Sequence, residues 1–285
     1  MRTMRIDEIL KSVDKLPSFP LTVFKVGELL RTDDYSASDI VDLIKYDQAI
    51  AANIVKMSNS PYFGARQRIG SLRDAVVFLG RENLLRIVQT AGVSRFFKKE
   101  GRGYVEKARE IWEHSVAVAL MSQILSRKIF KKEDGKLYLS ALLHDVGKMV
   151  MGELVYDSFA EISKLVSGGG YSFLEAEKEI IGIDHAELGG KIAEKWNFPR
   201  DVVDAISFHH RPDLLEGDEN MMAWLVYLAD QVCLISGYTG GFDGLAHRGV
   251  NEIMEKFDFH ERDLELGMIQ LVEELKHAEE VLGIV

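Results

Sequence analysis

The sequence places an adjacent histidine and aspartate, His144 and Asp145, inside the apolar run Ala141-Leu142-Leu143-His144-Asp145-Val146-Gly147-Lys148. Both side chains lose their solvation if they point into a helical core. Nothing within the run compensates them. A divalent cation would, because neutral imidazole and ionised carboxylate are both common metal ligands. The run therefore predicts a metal site, to which the rest of the chain supplies further ligands.

The spacing of apolar residues predicts an all-α fold. Apolar residues recur three or four positions apart rather than at alternate positions, and the chain contains only five prolines. Capping residues mark several helix starts, such as Ser36 and the Asp184–Glu187 capping box. The longest predicted helices cover Tyr104–Phe130, Lys136–Met151, Met221–Ser236 and the amphipathic tail Asp258–Gly283.

We expect two helical units. The sequence Gly101-Arg102-Gly103 interrupts an otherwise helical pattern, so the units are predicted to span 1–102 and 103–285. Residues 1–105 hold 17 Lys and Arg against 12 Asp and Glu, whereas residues 106–285 hold 18 against 33. The two parts therefore differ in charge. The net charge of −10 for the whole chain argues against a protein that acts mainly on nucleic acid.

The cysteine content and the hydropathy predict a cytoplasmic protein. The single cysteine, Cys233, excludes an intrachain disulfide and fits a reducing compartment. Its apolar neighbours predict a core residue rather than a nucleophile. The first residues lack an apolar signal core, and no stretch approaches the roughly 18 apolar residues of a membrane helix. We therefore expect no membrane segment and no membrane partner.

Other polar residues fall on apolar helix faces or at helix ends. His114 lies in line with apolar residues of its predicted helix, with Glu110 one turn earlier. Asp230 lies at the centre of an apolar stripe, where an aspartate needs a partner. Five of the eight histidines lie between residues 114 and 210. The candidate metal ligands are Glu110, His114, His144, Asp145, His185, His209, His210 and Asp230.

Each candidate ligand also has an ordinary structural interpretation. A lone histidine on an apolar face is more often a hydrogen-bonded core residue than a ligand, and Asp230 could pair with a histidine or an arginine. One metal site explains the clustered histidines and both aspartates together. Mixed imidazole and carboxylate ligands suit iron, manganese, nickel or zinc better than magnesium or calcium. If two ions are held, Asp145 is the expected bridge, because a carboxylate has two oxygens.

The order of these residues, with Leu-Leu-His-Asp-Val-Gly-Lys at its centre, resembles the HD-domain superfamily of metal-dependent phosphohydrolases. With Glu110 included, the set is similar to the HD-GYP cyclic-dinucleotide phosphodiesterases. The resemblance implies two divalent transition-metal ions, with iron or manganese placed ahead of nickel or zinc, held by the candidate ligands above. It also implies catalytic roles for Asp145 and for Lys148, which corresponds to the lysine that faces the phosphate.

The sequence departs from the HD-GYP pattern after His209-His210. Arg211-Pro212-Asp213 follows in place of a glutamate and a Gly-Tyr-Pro loop, which argues against cyclic-dinucleotide hydrolysis. Over about residues 12–215, the chain instead resembles the HDOD domain of bacterial signalling proteins. That resemblance implies an all-α fold, with an N-terminal helical bundle packed on an HD-type metal-binding helical domain. Its motifs are Leu16-Pro17-Ser18-Phe19-Pro20, Ile44-Lys45-Tyr46-Asp47, Lys56-Met57-Ser58-Asn59-Ser60-Pro61-Tyr62-Phe63 and Ser71-Leu72-Arg73-Asp74-Ala75-Val76-Val77-Phe78-Leu79-Gly80.

Two functional hypotheses follow. The chain is either a metal-dependent phosphohydrolase or phosphodiesterase, regulated through its N-terminal half and acting on a phosphoester or nucleotide, or a non-enzymatic signalling scaffold with a structural or ligand-sensing metal site. The retained ligands favour the first and the missing Gly-Tyr-Pro loop the second. Residues 59–102 hold nine Lys and Arg against three acids. This basic stretch either binds a signalling protein or a nucleotide, or forms an ordinary solvated helix face.

Overall fold

The computed structural model describes residues 2–32, 34–97, 108–154, 156–216, 221–238 and 259–282. Within these ranges the chain forms helices and no strand, which confirms the predicted all-α class. In the same ranges, no helix is long and apolar enough to cross a membrane. The helices are α1 (Arg2–Lys15), α2 (Leu21–Leu29), α3 (Ala37–Ile44), α4 (Gln48–Ser58), α5 (Leu72–Val93), α6 (Ala108–Phe130), α7 (Gly135–Leu143), α8 (Val146–Leu154), α9 (Tyr156–Ser167), α10 (Phe173–Ile180), α11 (His185–Lys195), α12 (Arg200–Ser207), α13 (Met221–Ile235) and α14 (Glu261–Leu282).

The chain divides into two compact units. One unit contains Met1–Pro17 and Phe96–Val272, and the other contains Ser18–Arg95 and Glu273–Val285. The predicted boundary at Gly101-Arg102-Gly103 lies outside the described residues. The division into 1–102 and 103–285 therefore stays a prediction.

The unit that includes Ser18–Arg95 is built from α2 to α5, with α4 packed along α5. Ser36 and Asp39 form a capping box at the start of α3. Asp47 caps α4 by accepting a hydrogen bond from the amide of Ile50. Gly80 has a φ of +72° and kinks α5. The helix starts in this unit therefore follow the capping signals in the sequence.

The other unit contains the predicted metal ligands. Its α6 packs against α7 and α13, while α11 packs against α8 and α12, and α12 also contacts α7. The inward faces of these helices are apolar and fully buried, as at Val118, Leu142, Leu188 and Val226. Helices that are distant in sequence therefore meet around a common core.

The single helix predicted over Lys136–Met151 is instead two helices. Because α7 ends at Leu143 and α8 begins at Val146, His144 and Asp145 lie at the turn between them. The His144 Nδ1 donates to the Ala141 carbonyl oxygen, 2.7 Å away. In a continuous helix the amide of Asp145 would use that carbonyl. The imidazole thus competes with the backbone and favours the break.

Helix α12 ends at Ser207, just before His209 and His210. The His209 Nδ1 donates to the Ile206 carbonyl oxygen over 2.7 Å, in the same relation as His144 to Ala141. The two pairs of adjacent polar residues therefore both follow the C-terminal end of a helix, where carbonyl groups lack intrahelical partners.

Glycines allow α8, α11 and α12 to approach closely beside these turns. A Cβ atom on Gly147 would lie 2.0 Å from the backbone oxygen of His185, and one on Gly190 would lie 1.9 Å from Ser207 Oγ. A Cβ on Gly267, in α14, would meet side-chain atoms of Met121 and Ile124 at an ordinary 3.7 Å. Gly147 is therefore required by backbone packing, whereas Gly267 is not.

We expect Gly147→Ala to destabilise the protein by about 1–3 kcal/mol, because the new methyl group overpacks a backbone contact. The matched control Gly267→Ala should be neutral or stabilising by up to about 1 kcal/mol, because alanine is the better helix former. Urea unfolding monitored by circular dichroism measures both effects. Equal stabilities for the two variants would contradict the tight packing of α8 on α11.

Candidate metal centre

Seven of the eight predicted ligands lie together in one mostly buried cluster. Asp145 is 0% exposed, and the helices around it bring the other side chains inward from five places in the sequence. Of the cluster members, only His210 is partly exposed. The cluster consists of His114 on α6, His144 and Asp145 between α7 and α8, His185 at the start of α11, His209 and His210 after α12, and Asp230 on α13.

Glu110, the eighth predicted ligand, lies in the first turn of α6, and its side chain is exposed, unlike those of the cluster members. Helical periodicity places Glu110 one turn before His114. The first turn of a helix can nevertheless extend beyond the core, so that its side chains are exposed.

Asp145 lies at the centre of the cluster. Its Oδ1 is 3.5 Å from His185 Nε2 and 3.8 Å from His209 Nε2. Its Oδ2 is 3.4 Å from His144 Nε2 and accepts a hydrogen bond from Lys148 Nζ over 2.7 Å. Each carboxylate oxygen thus faces a different set of imidazoles, as expected of a residue that bridges two ions.

The imidazole rings share one orientation. The Nδ1 atoms of His144 and His209 contact the carbonyl oxygens of the third residue before them, each at 2.7 Å. The Nδ1 of His114 contacts the Tyr238 carbonyl oxygen at 2.8 Å. Because a carbonyl only accepts, these Nδ1 atoms carry the proton and a neutral ring presents its Nε2 lone pair. Such outward hydrogen bonds are typical of metal-ligating histidines.

His185 is oriented by a carboxylate instead of a carbonyl. Glu177 on α10 is 0% exposed, and its Oε2 accepts hydrogen bonds from the backbone amide of His185 at 2.9 Å and from its Nδ1 at 2.7 Å. Burial opposes a charged His185, but the nearby Glu177 charge outweighs burial and raises the pKa of His185 to about 9. On the inner side, His185 Nε2 lies 2.9 Å from His210 Nε2.

His114 lies between two acceptors. Its Nε2 is 3.0 Å from Asp230 Oδ1, while its Nδ1 is bonded to the Tyr238 carbonyl. A neutral imidazole can donate to only one of them. Burial disfavours the charged ring, but the hydrogen bond and charge of Asp230 raise the pKa of His114. A cation between Nε2 and Oδ1 would satisfy the same pair of groups.

Burial and neighbouring side chains control the ionisation of Asp145 and His209. Burial would raise the pKa of Asp145, but its neighbours His144 and Lys148 hold it well below its ordinary value. Burial and the neighbouring His144 lower the pKa of His209 to about 3. Asp145 is therefore a carboxylate and His209 a neutral imidazole, the protonation states that metal ligation requires.

The donors fit a divalent transition metal. Asp145 Oδ1 and His209 Nε2 are buried without a hydrogen-bond partner, although both face the centre of the cluster. Buried polar atoms in proteins are nearly always satisfied, so this pair needs an explanation. Ligand atoms within 4.8 Å of one another form two groups, which share Asp145: one of Asp145, His185, His209 and His210, and one of His114, His144 and Asp145.

Three features of the cluster were missed by reasoning from the sequence: Glu177, the close approach at Gly147, and the Tyr238 carbonyl. A signal for Glu177 was present. Phe173, Glu177 and Ile181 are spaced by four residues, and both apolar members are buried. An acid on that stripe needs a partner, as Asp230 does. The other two features depend on contacts between distant segments.

The basic stretch over 59–102 is only partly available to a partner. Arg95 pairs with Asp47 at 2.5 Å and Arg86 lies 3.6 Å from Glu274. Lys98, Lys99 and Arg102 lie outside the described residues. Arg66, Arg68, Arg73 and Arg81 are exposed, and so is Arg95 in its pair with Asp47. A signalling partner or nucleotide at this stretch stays a prediction.

Comparison with known proteins identifies the family. The model of the HDOD domain matches residues 16–212 of this chain. The chain therefore belongs to the HDOD family.

Solved structures share the fold over nearly the whole chain. A Geobacter sulfurreducens HDOD domain protein of unknown function is 25% identical, covers 98% of both chains and superposes with a TM-score of 0.80. A presumed phosphohydrolase from Shewanella amazonensis is 23% identical, covers 97% of both chains and gives a TM-score of 0.70. The second likeness shows the fold alone.

A curated sequence relative is longer than this chain. An uncharacterized protein of Treponema pallidum (strain Nichols) is 23% identical over 199 residues. The match covers 70% of this chain and 38% of the relative.

We expect Mn²⁺ at about 100 times its dissociation constant to stabilise the chelator-treated protein by about 2.7 kcal/mol, because it binds only the folded cluster. The corresponding rise in Tm is about 5 °C or more. Asp145→Asn should abolish the rise, and Mg²⁺ should produce little, since it prefers oxygen ligands. Scanning fluorimetry measures the shift. An equal shift in Asp145→Asn would place the Mn²⁺ elsewhere.

Proposed function

We propose that the chain is a metal-dependent phosphohydrolase or phosphodiesterase of the HDOD family, acting on a phosphoester or nucleotide. The observation that carries the proposal is the orientation of four imidazoles around one buried carboxylate. His114, His144, His185 and His209 each bind an acceptor through Nδ1 and turn Nε2 inward. Separate hydrogen-bonded pairs in a core would not require all four rings to turn Nε2 to the same centre.

The shared group of ligands supports a dinuclear site. Asp145 would bridge the two ions, with His185, His209 and His210 on one side and His114, His144 and Asp230 on the other. Imidazole and carboxylate donors suit iron or manganese ahead of nickel or zinc in this proposal. When bound, such ions supply a Lewis acid that lowers the pKa of water and offsets the charge of a phosphate.

The protein's own side chains would orient the substrate. Lys148 Nζ lies 2.7 Å from Asp145 Oδ2, and the lysine is 1% exposed. An ammonium group held in a dry site interacts strongly with a phosphate oxygen. His210, the partly exposed member, marks the side from which a substrate would approach. The phosphohydrolase description of the Shewanella amazonensis protein with this fold agrees with the proposal.

One observation favours a second function, that of a non-enzymatic signalling scaffold with a structural or ligand-sensing metal. Six members of the cluster are at most 2% exposed. Structural metal sites are closed, whereas catalytic sites keep a position open to substrate. In this second case the ions would lock the helices together and Lys148 would serve only to balance charge.

Turnover assays separate the two functions. The purified chain, loaded with Mn²⁺ or Fe²⁺ and analysed for metal content, should hydrolyse bis(4-nitrophenyl) phosphate, 4-nitrophenyl phosphate or a nucleotide. Asp145→Asn should lower kcat/KM by about a thousandfold, the scale of several kcal/mol lost from the transition state. The control Asp213→Asn removes an exposed carboxylate and should retain full activity. Bound metal with no Asp145-dependent turnover on any of these substrates would support the scaffold.

A further inference from the structure

The two oxygens of Asp145 have unequal surroundings. Oδ1 faces His185 and His209 and is buried without a hydrogen-bond partner. Oδ2 faces His144 and His114, at 3.4 and 3.9 Å, but already accepts the Lys148 ammonium at 2.7 Å. An ion on the Oδ1 side meets a carboxylate oxygen that is ready to bind. An ion on the Oδ2 side meets an oxygen that already accepts a hydrogen bond from the Lys148 ammonium.

Lys148 opposes a second cation on the Oδ2 side. Its side chain is among the largest fully buried ones in the described part of the chain. Solvent therefore screens its charge poorly, and repulsion between the ammonium and a divalent ion a few ångströms away is strong. The ammonium is also the partner that balances Asp145 before metal arrives. Lys148 thus acts as an internal cation that competes with the ion.

The remaining charges also favour a cation on the Oδ1 side of Asp145 over one on the Oδ2 side. On the Oδ2 side, the formal charges of Asp230 and Lys148 cancel. On the Oδ1 side, the buried Glu177 carboxylate accepts the Nδ1 proton of His185, which increases the basicity of that ligand. His144 has only a neutral carbonyl in the equivalent position. The Oδ1 side also supplies the larger group of mutually close ligands, four against three.

We propose that the two ions bind in a fixed order. The first is held by Asp145 Oδ1, His185, His209 and His210, with Glu177 as the positioning residue of His185. The second is held by Asp145 Oδ2, His114, His144 and Asp230, and it binds only when Lys148 Nζ leaves Oδ2. Lys148 therefore sets the metal concentration at which the dinuclear site is complete. This inference rests on the metal centre of the proposed function and adds a means of regulating it.

Titration of the chelator-treated chain with Mn²⁺ tests the order of binding. Calorimetry measures the two dissociation constants, and electron paramagnetic resonance detects coupled ion pairs. The wild-type protein should bind two ions with constants that differ by at least about tenfold. Lys148→Met should tighten the second step by about tenfold or more and leave the first unchanged. Glu177→Gln should weaken the first step by about 10–100-fold.

Matched controls come from the same unit of the protein. Lys136→Met removes a lysine that pairs with Asp201 at 2.5 Å, away from the cluster. Glu179→Gln removes an exposed carboxylate from the same helix as Glu177. Neither control should change either dissociation constant.

Ligand variants keep the test independent of how Lys148→Met folds. His114→Gln should remove the weak step and keep the tight one, whereas His210→Gln should remove the tight step. Two indistinguishable steps in the wild type, loss of the tight step in His114→Gln, or an unchanged second step in a folded Lys148→Met would each overturn the order. Failure to bind Mn²⁺ would overturn it as well.

Metal binding and turnover also separate this inference from the proposed function. Ordered binding of two ions without hydrolysis of any phosphoester would refute the hydrolase and leave the order intact. Hydrolysis by a protein whose second ion binds independently of Lys148 would refute the order and leave the hydrolase intact.

Discussion

The rest of this structure depends on the way imidazole rings are held around the Asp145 carboxylate. Four of the five rings are fixed from Nδ1, by a backbone carbonyl for His114, His144 and His209 and by Glu177 for His185. Fixing Nδ1 directs Nε2, and with it a lone pair, to the carboxylate. Five neighbouring imidazoles around one carboxylate would be a poor core without a cation, because His209 Nε2 and Asp145 Oδ1 are buried there without a hydrogen-bond partner.

The same hydrogen bonds shape the secondary structure. The turn at His144 and the end of α12 before His209 both occur where an imidazole takes a carbonyl that a continuing helix would use. Ending the helices at these points moves adjacent side chains off a regular helical face, so that neighbouring residues can reach one centre. Gly147 and Gly190 then let the helices close around the cluster. Local backbone breaks and close helix packing are therefore two parts of one arrangement.

Membership of the HDOD family explains the fold and leaves the chemistry to the site. The fold occurs in a Geobacter sulfurreducens HDOD domain protein of unknown function, so this likeness supplies no reaction. The site of this chain is a buried set of nitrogen and oxygen donors, most of them oriented by hydrogen bonds. Their burial restricts access, and the Lys148–Asp145 pair balances the charge of the centre. The same buried cluster is therefore the basis of both the hydrolase proposal and the signalling-scaffold alternative.

The sequence by itself determined the helical class, several helix starts and the identity of most cluster members. The helical spacing of apolar residues and the capping residues are local properties of the sequence. A polar residue on an apolar stripe, such as Asp230, can also be recognised without a structure. Only the tertiary structure decided the break at His144, the exposure of Glu110 and the part played by Glu177. The contact of Glu177 with His185 depends on segments that are separate in sequence, and the loss of the Ala141 carbonyl to His144 depends on how packing places that ring. Such competition is settled by packing, which no periodic pattern records.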